Sequence, residues 1–356
     1  MNVHPAAVFA PNKSASHHSN YLPALDYLRA AAALGVFLNH AHFFSFIPSD
    51  FGTACVQIFF ALSGFLIGSI LLRTEPRELP RFYFNRTTRI WIPYLIAIAL
   101  IFVVTTVKQG LSDPKFSEFF FYDVTFVYNW FGPPQLAEFV HRMPLDGTGN
   151  HFWSICVEEQ FYLLAPFVLL FLPRIVASLG LLGLLALNFV FPHYFASISL
   201  GLLLALHSDR KIVIGIGCAA LGLSLYFWFG YQQWMPFVAT AIVAACSWKG
   251  PQLDSGRILG GASYSFYLNG WVGLFIANSL EKRLSLPAAP GFAIALIISG
   301  SLALAHYRYI DRTIIEKRSK FFSRRTGALC CVAGFALVAV GLLGGLLYFP
   351  NDLRFR

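Results

Sequence analysis

Charge is scarce in this sequence. Asp, Glu, Lys and Arg together make up 12% of the 356 residues, whereas apolar residue types make up 57%. Soluble domains carry about 25% charged residues, so this chain has too few polar side chains to cover several water-exposed domains. The composition therefore excludes a string of soluble domains and predicts a protein that crosses a membrane many times.

Other features are also missing, and each absence argues against one kind of site, segment or protein. The six cysteines form no Cys-x-x-Cys pair and lie in or beside apolar stretches, so we interpret them as small buried residues and predict no metal site. Residues 1–20 contain no apolar segment followed by a cleavage site, which predicts an uncleaved first helix. The sequence shows no internal repeat, and this weighs against a transporter built from inverted repeats.

Long apolar runs dominate what remains. Eleven of them approach the roughly 20 residues that a helix needs to cross a bilayer. They cover residues 25–46, 53–72, 91–109, 152–172, 175–191, 194–207, 211–230, 233–248, 258–280, 291–310 and 327–349. We predict an all-α fold, a polytopic transmembrane helix bundle of about 10–11 helices.

The positive charges predict the orientation of this bundle. With the N-terminus in the cytoplasm, 18 of the 26 lysines and arginines fall on the cytoplasmic side and seven fall outside. This asymmetry favours a cytoplasmic N-terminus. The net charge of +9 sits in short loops between apolar runs, so it indicates membrane orientation and not a nucleic-acid partner. Residues 73–90 are predicted to form an arginine-rich cytoplasmic loop, and residues 110–151 a long aromatic outward loop.

The first apolar run carries two ionisable residues, Arg29 and His40. They are eleven positions apart, close to three whole helical turns, so they share one face about 16 Å apart along the axis. A neutral imidazole can accept a proton from a hydroxyl, and an arginine can bind a phosphate or carboxylate with two hydrogen bonds. Asp26, three residues before Arg29, could pair with it on the helix surface. The alternative is structural: Arg29 extends to the cytoplasmic interface, and His40 makes a hydrogen bond to a neighbouring helix.

Three further segments carry candidate residues. In residues 59–68, Ser63, Gly64 and Gly68 favour close helix packing. Arg86 and Arg89 are three residues apart and share a helix face, where they could hold the phosphates of a nucleotide cofactor or contact anionic lipid. In residues 261–270, the hydroxyl groups, including that of Tyr264, could line a polar channel or simply pack between helices.

Glu158 and Glu159 are adjacent carboxylates that enter an apolar span. Neighbouring helical residues point about 100° apart, so we expect one of the two to face the interior of the bundle. Glu158 could pair with Arg29 or orient His40. The structural alternative is an interfacial anchor with an ordinary ion pair.

Four of these segments together resemble the integral-membrane acyltransferase-3 family, whose members acylate surface polysaccharides. The first is Arg29, ten residues and His40, preceded by Tyr-Leu-Pro-Ala-Leu-Asp. The second is Phe-Phe-x-Leu-Ser-Gly-Phe-Leu at 59–66, and the third is the Arg-x-x-Arg-Ile segment that leads to Pro93. The fourth is Trp-Ser-x-x-x-Glu-x-x-Phe-Tyr at 153–162. The resemblance implies that residues 21–325 are the membrane domain of such an enzyme, flanked by a disordered cytoplasmic tail, 1–20, and by an additional transmembrane helix and short tail, 326–356.

The resemblance also implies roles for individual residues. The catalytic residues would be His40 and Glu158, and the donor, acetyl-CoA or another acyl-CoA, would be a co-substrate and not a permanently bound cofactor. Residues expected to bind the donor are Arg29, Arg86 and Arg89, and residues expected to bind substrate are Trp153, Ser154 and Tyr264. Two positions depart from the family pattern, because many members carry Asp at Gln57 and His at Asn269. An asparagine cannot transfer protons, so we expect no acid–base role for Asn269.

We therefore predict a membrane-embedded O-acyltransferase in the cytoplasmic membrane of a bacterium. It would move an acyl group, with acetyl the first expectation, from cytoplasmic acyl-CoA to a hydroxyl of a saccharide or lipid-linked glycan, with membrane lipids around it. Two alternatives stay open at this point. One is a proton-coupled transporter that uses His40, Arg29 and Glu158, and the other is an acyltransferase that acts on a small secreted metabolite.

Overall fold

The structure is a computed structural model, and every regular element in the part of the chain that it describes is helical. The described residues are 21–41, 43–110, 114–132, 143–145, 147–190, 194–229, 231–285 and 287–348. The predicted all-α fold is confirmed. The predicted tail, residues 1–20, lies outside the described residues.

The helices are numbered here in chain order. They are α1 Pro23–Ala41, α2 Phe51–Leu71, α3 Leu79–Gln109, α4 Pro114–Val124, α5 Tyr128–Phe131, α6 Trp153–Phe171, α7 Arg174–Val190, α8 Phe195–Leu206, α9 Lys211–Phe229, α10 Tyr231–Cys246, α11 Asp254–Leu284, α12 Ala288–His306, α13 Arg312–Lys317 and α14 Arg324–Tyr348. A five-residue π-helical turn, Tyr307–Asp311, joins α12 to α13.

Each of the eleven predicted spans coincides with a helix. Among the described residues, six helical segments are long and apolar enough to cross a membrane: 51–71, 76–108, 150–171, 208–228, 288–320 and 324–347. Three shorter apolar helices accompany them, at 174–190, 195–206 and 233–246. The chain is therefore a multi-pass integral membrane protein, and its orientation stays a prediction.

Two helix boundaries that matter for the site differ from those predicted: the start of α3 and the end of α1. Helix α3 begins at Leu79, twelve residues before the predicted span, so Arg86 and Arg89 lie on a helix and not in a loop. Hydropathy marks only the part of a helix that faces lipid, whereas arginine and asparagine are compatible with the helical backbone itself. Residues 110–151 were predicted as a loop, but they contain α4 and α5.

Helix α1 ends at Ala41, five residues before the predicted end of its span. His40 therefore lies in the last turn of α1, with an exposed side chain, and not deep within a longer helix. The residues that follow are still apolar, so hydropathy alone could not show this end. Phe43 instead stacks on Phe292 of α12, with 4.9 Å between the ring centroids.

The helices that carry the predicted site residues pack around one another. Helix α1 packs against α2 and α11, and α2 packs against α8, α10 and α6. Helix α11 packs along α12, while α14 covers α3. Proline lies inside three of these helices, at Pro93 of α3, Pro166 of α6 and Pro236 of α10.

Glycine sets the contact between α2 and α8. A Cβ atom placed on Gly64 would collide with the carbonyl oxygen of Ile198, and one placed on Gly201 would collide with the carbonyl oxygen of Ala61. The two backbones therefore touch at a point where a side chain does not fit. This confirms the packing interpretation of Gly64, and Gly68 lies similarly close to Ala205.

We expect Gly201→Ala to destabilise the protein because the added methyl group must push α2 away from α8. Overpacking of this kind costs about 1–3 kcal/mol. The matched control is Gly300→Ala, since a Cβ there meets no atom within 4 Å. Thermal unfolding in detergent measures both variants. Equal unfolding midpoints for Gly201→Ala and Gly300→Ala would contradict the contact.

Candidate functional site

Four arginines converge at one end of the bundle. Arg86 and Arg89 lie one turn apart on α3, and both are within electrostatic range of Arg29 on α1. Arg318, just after α13, is within range of both and donates a hydrogen bond to the carbonyl oxygen of Asn85 at 3.1 Å. Within the described residues, the guanidinium groups of Arg29, Arg86 and Arg89 donate no hydrogen bond. Unpaired guanidinium groups that repel one another form a site for an anion.

Glu158 lies beside this cluster and is held by two hydroxyl groups. Ser63 of α2 donates to Oε1 at 2.5 Å, and Tyr162 of α6 donates to Oε2 at 3.1 Å. The carboxylate is also within electrostatic range of Arg29 and Arg86. Of the two interactions predicted for Glu158, the geometry therefore favours the one with the arginines over orientation of His40.

Glu159 is also buried, which differs from the expectation that only one of the two carboxylates would face inward. Its side chain is 2% exposed, and Oε1 accepts a hydrogen bond from Trp91 Nε1 at 2.7 Å. Its Oε2 has no hydrogen-bond partner among the described residues. The bundle is wide enough here for α3 to cover one carboxylate while α2 covers the other.

The predicted substrate residues connect the two ends of the bundle. Tyr264 of α11 donates to the carbonyl oxygen of Ile90, the residue after Arg89, so it belongs to the arginine end. Ser154 of α6 lies 2.6 Å from the hydroxyl of Tyr267, which also contacts the carbonyl oxygen of His151 at 2.9 Å. Trp153 packs its ring on Phe60 and Tyr194. Ser154 and Trp153 thus lie towards the opposite end from Tyr264.

His40 belongs to this second end. It lies within electrostatic range of His151, three turns of α1 away from Arg29. Asp26 accepts a hydrogen bond from the hydroxyl of Tyr21 and does not pair with Arg29. Burial raises the pKa of Tyr21, and the bond to Asp26 raises it further, so the phenol stays protonated and keeps donating. Arg29 therefore has no ion pair with Asp26, the carboxylate nearest to it in the sequence.

The two positions that depart from the family pattern are both hydrogen-bonded in the interior. Gln57 of α2 accepts a hydrogen bond from Ser197 of α8. Asn269 of α11 lies with Nδ2 at 2.9 Å from Nδ1 of His306 on α12. Both side chains join neighbouring helices and contact no residue of the arginine cluster.

A cavity lies at the end of α3 remote from the arginines. It is a small void of about 10 Å³, room for about one water molecule, between α3, α4, α5 and the segment before α6. Asp123, 4% exposed, lines it, together with Tyr128 and Asn150, whose side chains bond to each other at 2.7 Å. Oδ1 of Asp123 has no hydrogen-bond partner among the described residues. Asn150 precedes His151, so the cavity adjoins the His40 end.

The comparison with known families agrees with these motifs. Residues 22–308 match the family model described as an acyltransferase domain. The chain belongs to the acyltransferase-3 family. The matched range includes the segments of α1, α2, α3 and α6 whose side chains approach one another in this structure.

Curated relatives in this acyltransferase family are O-acetyltransferases by name. The chain is 27% identical over 358 residues to O-acetyltransferase OatA of Staphylococcus aureus, a match that covers 85% of this chain and 58% of that protein. It is 30% identical over 191 residues to peptidoglycan O-acetyltransferase OatA of Listeria monocytogenes, covering 48% of this chain and 29% of the relative. The chain thus spans little more than half the length of the first relative. No solved structure matches it.

Sequence reasoning missed several residues of the site. Ser63 was assigned to packing alone, although a hydroxyl in a long apolar run beside two glycines is a signal for an interhelical hydrogen bond. His306 and Asp311 were also missed. They end an apolar span, so the rule that drew attention to His40 applied to them as well. No sequence signal shows that Tyr267 and Ser154 meet, because they are 113 residues apart.

We expect Ser63→Ala to destabilise the protein by about 1–3 kcal/mol, because Oε1 of Glu158 would lose its donor in the interior. Ser69→Ala on the same helix is the matched control, since the structure records no side-chain hydrogen bond for Ser69. The loss should shrink when Tyr162→Phe is already present, because the two hydroxyls hold one carboxylate. Thermal unfolding of the single and double variants measures this coupling. Additive losses would argue against a shared network.

Proposed function

We propose that this chain is a membrane O-acyltransferase that moves an acyl group, acetyl in the first instance, from acyl-CoA to a hydroxyl of a surface or exported glycan. The observation that carries the proposal is the cluster of Arg29, Arg86 and Arg89, whose guanidinium groups have no hydrogen-bond partner in the described structure. Acyl-CoA carries several phosphates, which are the anions that arginine binds best.

The distance between the two ends of the site suits such a donor. The phosphates of a CoA thioester lie at one end of a long, flexible arm, and the thioester lies at the other. With the phosphates at Arg86 and Arg89, the arm would run past Glu158 and along α1 for about 16 Å to reach His40. Tyr264 and then Tyr267 would line this route, as their contacts to Ile90 and Ser154 support.

The chemistry requires a base at the thioester end. The acceptor hydroxyl would give its proton to His40 as its oxygen attacks the thioester carbonyl, and the carbon–sulfur bond would then break to release CoA as the thiol. His40, exposed in the last turn of α1, is accessible to an acceptor.

The acceptor class rests on the relatives. The protein of Listeria monocytogenes is named for peptidoglycan, so a glycan is the acceptor that we propose here. The proposed location is the cytoplasmic membrane of a bacterium, with the arginine end towards the cytoplasm, where acyl-CoA is found. The excess of lysine and arginine in the loops on that side supports this orientation.

We expect His40→Ala to lower kcat for acetyl transfer about 10²- to 10⁴-fold, the range that a general base contributes. Binding of acetyl-CoA should be unchanged, because the arginines lie three turns away. Labelled acetyl-CoA, proteoliposomes and a peptidoglycan fragment as acceptor provide the assay. His207→Ala is the control, since His207 bonds to Ser178 away from the site. Full activity in His40→Ala would disprove its catalytic role.

We expect Arg86→Gln and Arg89→Gln each to weaken acetyl-CoA binding about ten- to a hundredfold, because each removes charge-assisted hydrogen bonds to phosphate. The control is Arg77→Gln, an exposed arginine that pairs with Glu75. Stabilisation of the purified protein by acetyl-CoA in a thermal unfolding assay measures binding. A proton-coupled transporter would show no stabilisation by acetyl-CoA in any of these proteins.

A further inference from the structure

A second group of polar side chains is buried between α11, α12 and the π-helical turn. Its members are Ser265, Asn269, His306 and Asp311, all 8% exposed or less. Polar and ionisable groups inside a membrane bundle are costly unless they bond to one another. None of the four takes part in the reaction proposed above.

Polar side chains lie on both sides of the His306 ring, one at hydrogen-bond distance and one beyond it. Asn269 Nδ2 lies 2.9 Å from Nδ1, and since an amide nitrogen is a donor, Nδ1 is the acceptor. The ring proton of the neutral form is then on Nε2, which lies 3.6 Å from Oδ1 of Asp311. The second oxygen of Asp311 accepts a hydrogen bond from Ser265. Nε2 of His306 thus faces Oδ1 of Asp311 without a hydrogen bond among the described residues, and the ring is buried between α11, α12 and the π-helical turn.

The π-helical turn makes this arrangement possible. His306 and Asp311 are five residues apart, and in a regular α-helix they would point about 140° away from each other. In a π-helix the hydrogen bonds run from residue i to residue i+5, so residues five apart come onto the same side. Such turns are uncommon and occur frequently at functional sites.

Asp311 lies beside the part of α3 that carries Arg89, because Asp311 accepts a hydrogen bond from Ser265 while the adjacent Tyr264 donates to the carbonyl oxygen of Ile90, the residue after Arg89. It is within electrostatic range of Arg89, although no direct ion pair joins the two side chains in the described structure. Arg89 is otherwise surrounded by positive charge from Arg29, Arg86 and Arg318. The other nearby carboxylate, Glu158, acts on Arg29 and Arg86. Asp311 is thus the carboxylate that attracts Arg89 towards α12.

We propose that Asp311, held in place by His306 and Ser265, is a positioning residue that orients Arg89 for the donor phosphates. This inference rests on the proposed function, because it assumes that Arg89 binds the donor. His306 and Asn269 act through Asp311 and touch neither donor nor acceptor. The role is set by the direction in which the guanidinium points and not by net charge.

The test separates these two effects because they have opposite signs. If only net charge mattered, Asp311→Asn would make the site more positive and would tighten acetyl-CoA binding. If Asp311 positions Arg89, the same variant weakens binding by roughly two- to thirtyfold, the range for residues that act through another group. The rise should appear in Kd and KM for acetyl-CoA, while kcat changes little.

A double-mutant cycle on the full-length protein in detergent supplies the decisive comparison. Asp311→Asn should weaken acetyl-CoA binding in the wild-type background and have no further effect beside Arg89→Gln. Asp311→Glu should restore part of the affinity. The control is Glu316→Gln, because Glu316 is an exposed carboxylate that pairs with Arg312 at 2.7 Å. Unchanged or tighter binding in Asp311→Asn, or the same loss in both backgrounds, would overturn the proposal.

His306→Gln keeps the proposal falsifiable if Asp311→Asn does not fold. It should weaken acetyl-CoA binding in the same direction as Asp311→Asn, and this effect should also vanish beside Arg89→Gln. An equal effect with and without Arg89 would refute the role. If the wild-type protein itself does not bind acetyl-CoA, the proposed function fails, whereas a wild-type protein that binds it without coupling between Asp311 and Arg89 refutes only the positioning role.

Discussion

Repulsion among arginines in the interior of the bundle is the constraint on which the rest of the site depends. Arg29 of α1 approaches Arg86 and Arg89 of α3, and no direct ion pair joins any of the three to a carboxylate in the described structure. Such an arrangement survives only where the surrounding helices hold it rigidly and where water or an anion can reach it. The close α2–α8 contact at Gly64 and Gly201 supplies part of that rigidity.

The nearby carboxylates reduce the positive potential of the arginine cluster without forming ion pairs with it. Glu158 is committed to Ser63 and Tyr162, and Asp311 is committed to Ser265. Each carboxylate is thus held by neutral hydroxyl donors. It attracts the arginines electrostatically without a direct hydrogen bond to them. A direct ion pair would have closed the site, whereas this arrangement leaves the guanidinium hydrogens available to a ligand.

The sequence predicts the helices well and the contacts between them poorly. Each apolar run overlaps a helix because lipid demands long apolar segments, although six helical segments of the described structure are long and apolar enough to cross a membrane. The spacing of Arg29 and His40 follows from helical geometry. The start of α3 was missed because its first turns carry arginines that hydropathy assigns to a loop. The burial of both Glu158 and Glu159 depends on which helices lie on either side of α6. That is a tertiary property, to which local sequence gives no access, and the same holds for the meeting of Asn269 with His306.

The two prolines inside the site-bearing helices have a further effect on the backbone. Proline has no amide hydrogen, so the carbonyl oxygen four residues earlier loses its helical partner. For Pro93 that oxygen belongs to Arg89, and for Pro166 it belongs to Tyr162. Both helices therefore lack one α-helical hydrogen bond at residues of the arginine and Glu158 region, and each can bend there. The section of the bundle that holds the charges is also the section where α3 and α6 can flex, so entry of a ligand need not disturb the rigid contact between α2 and α8.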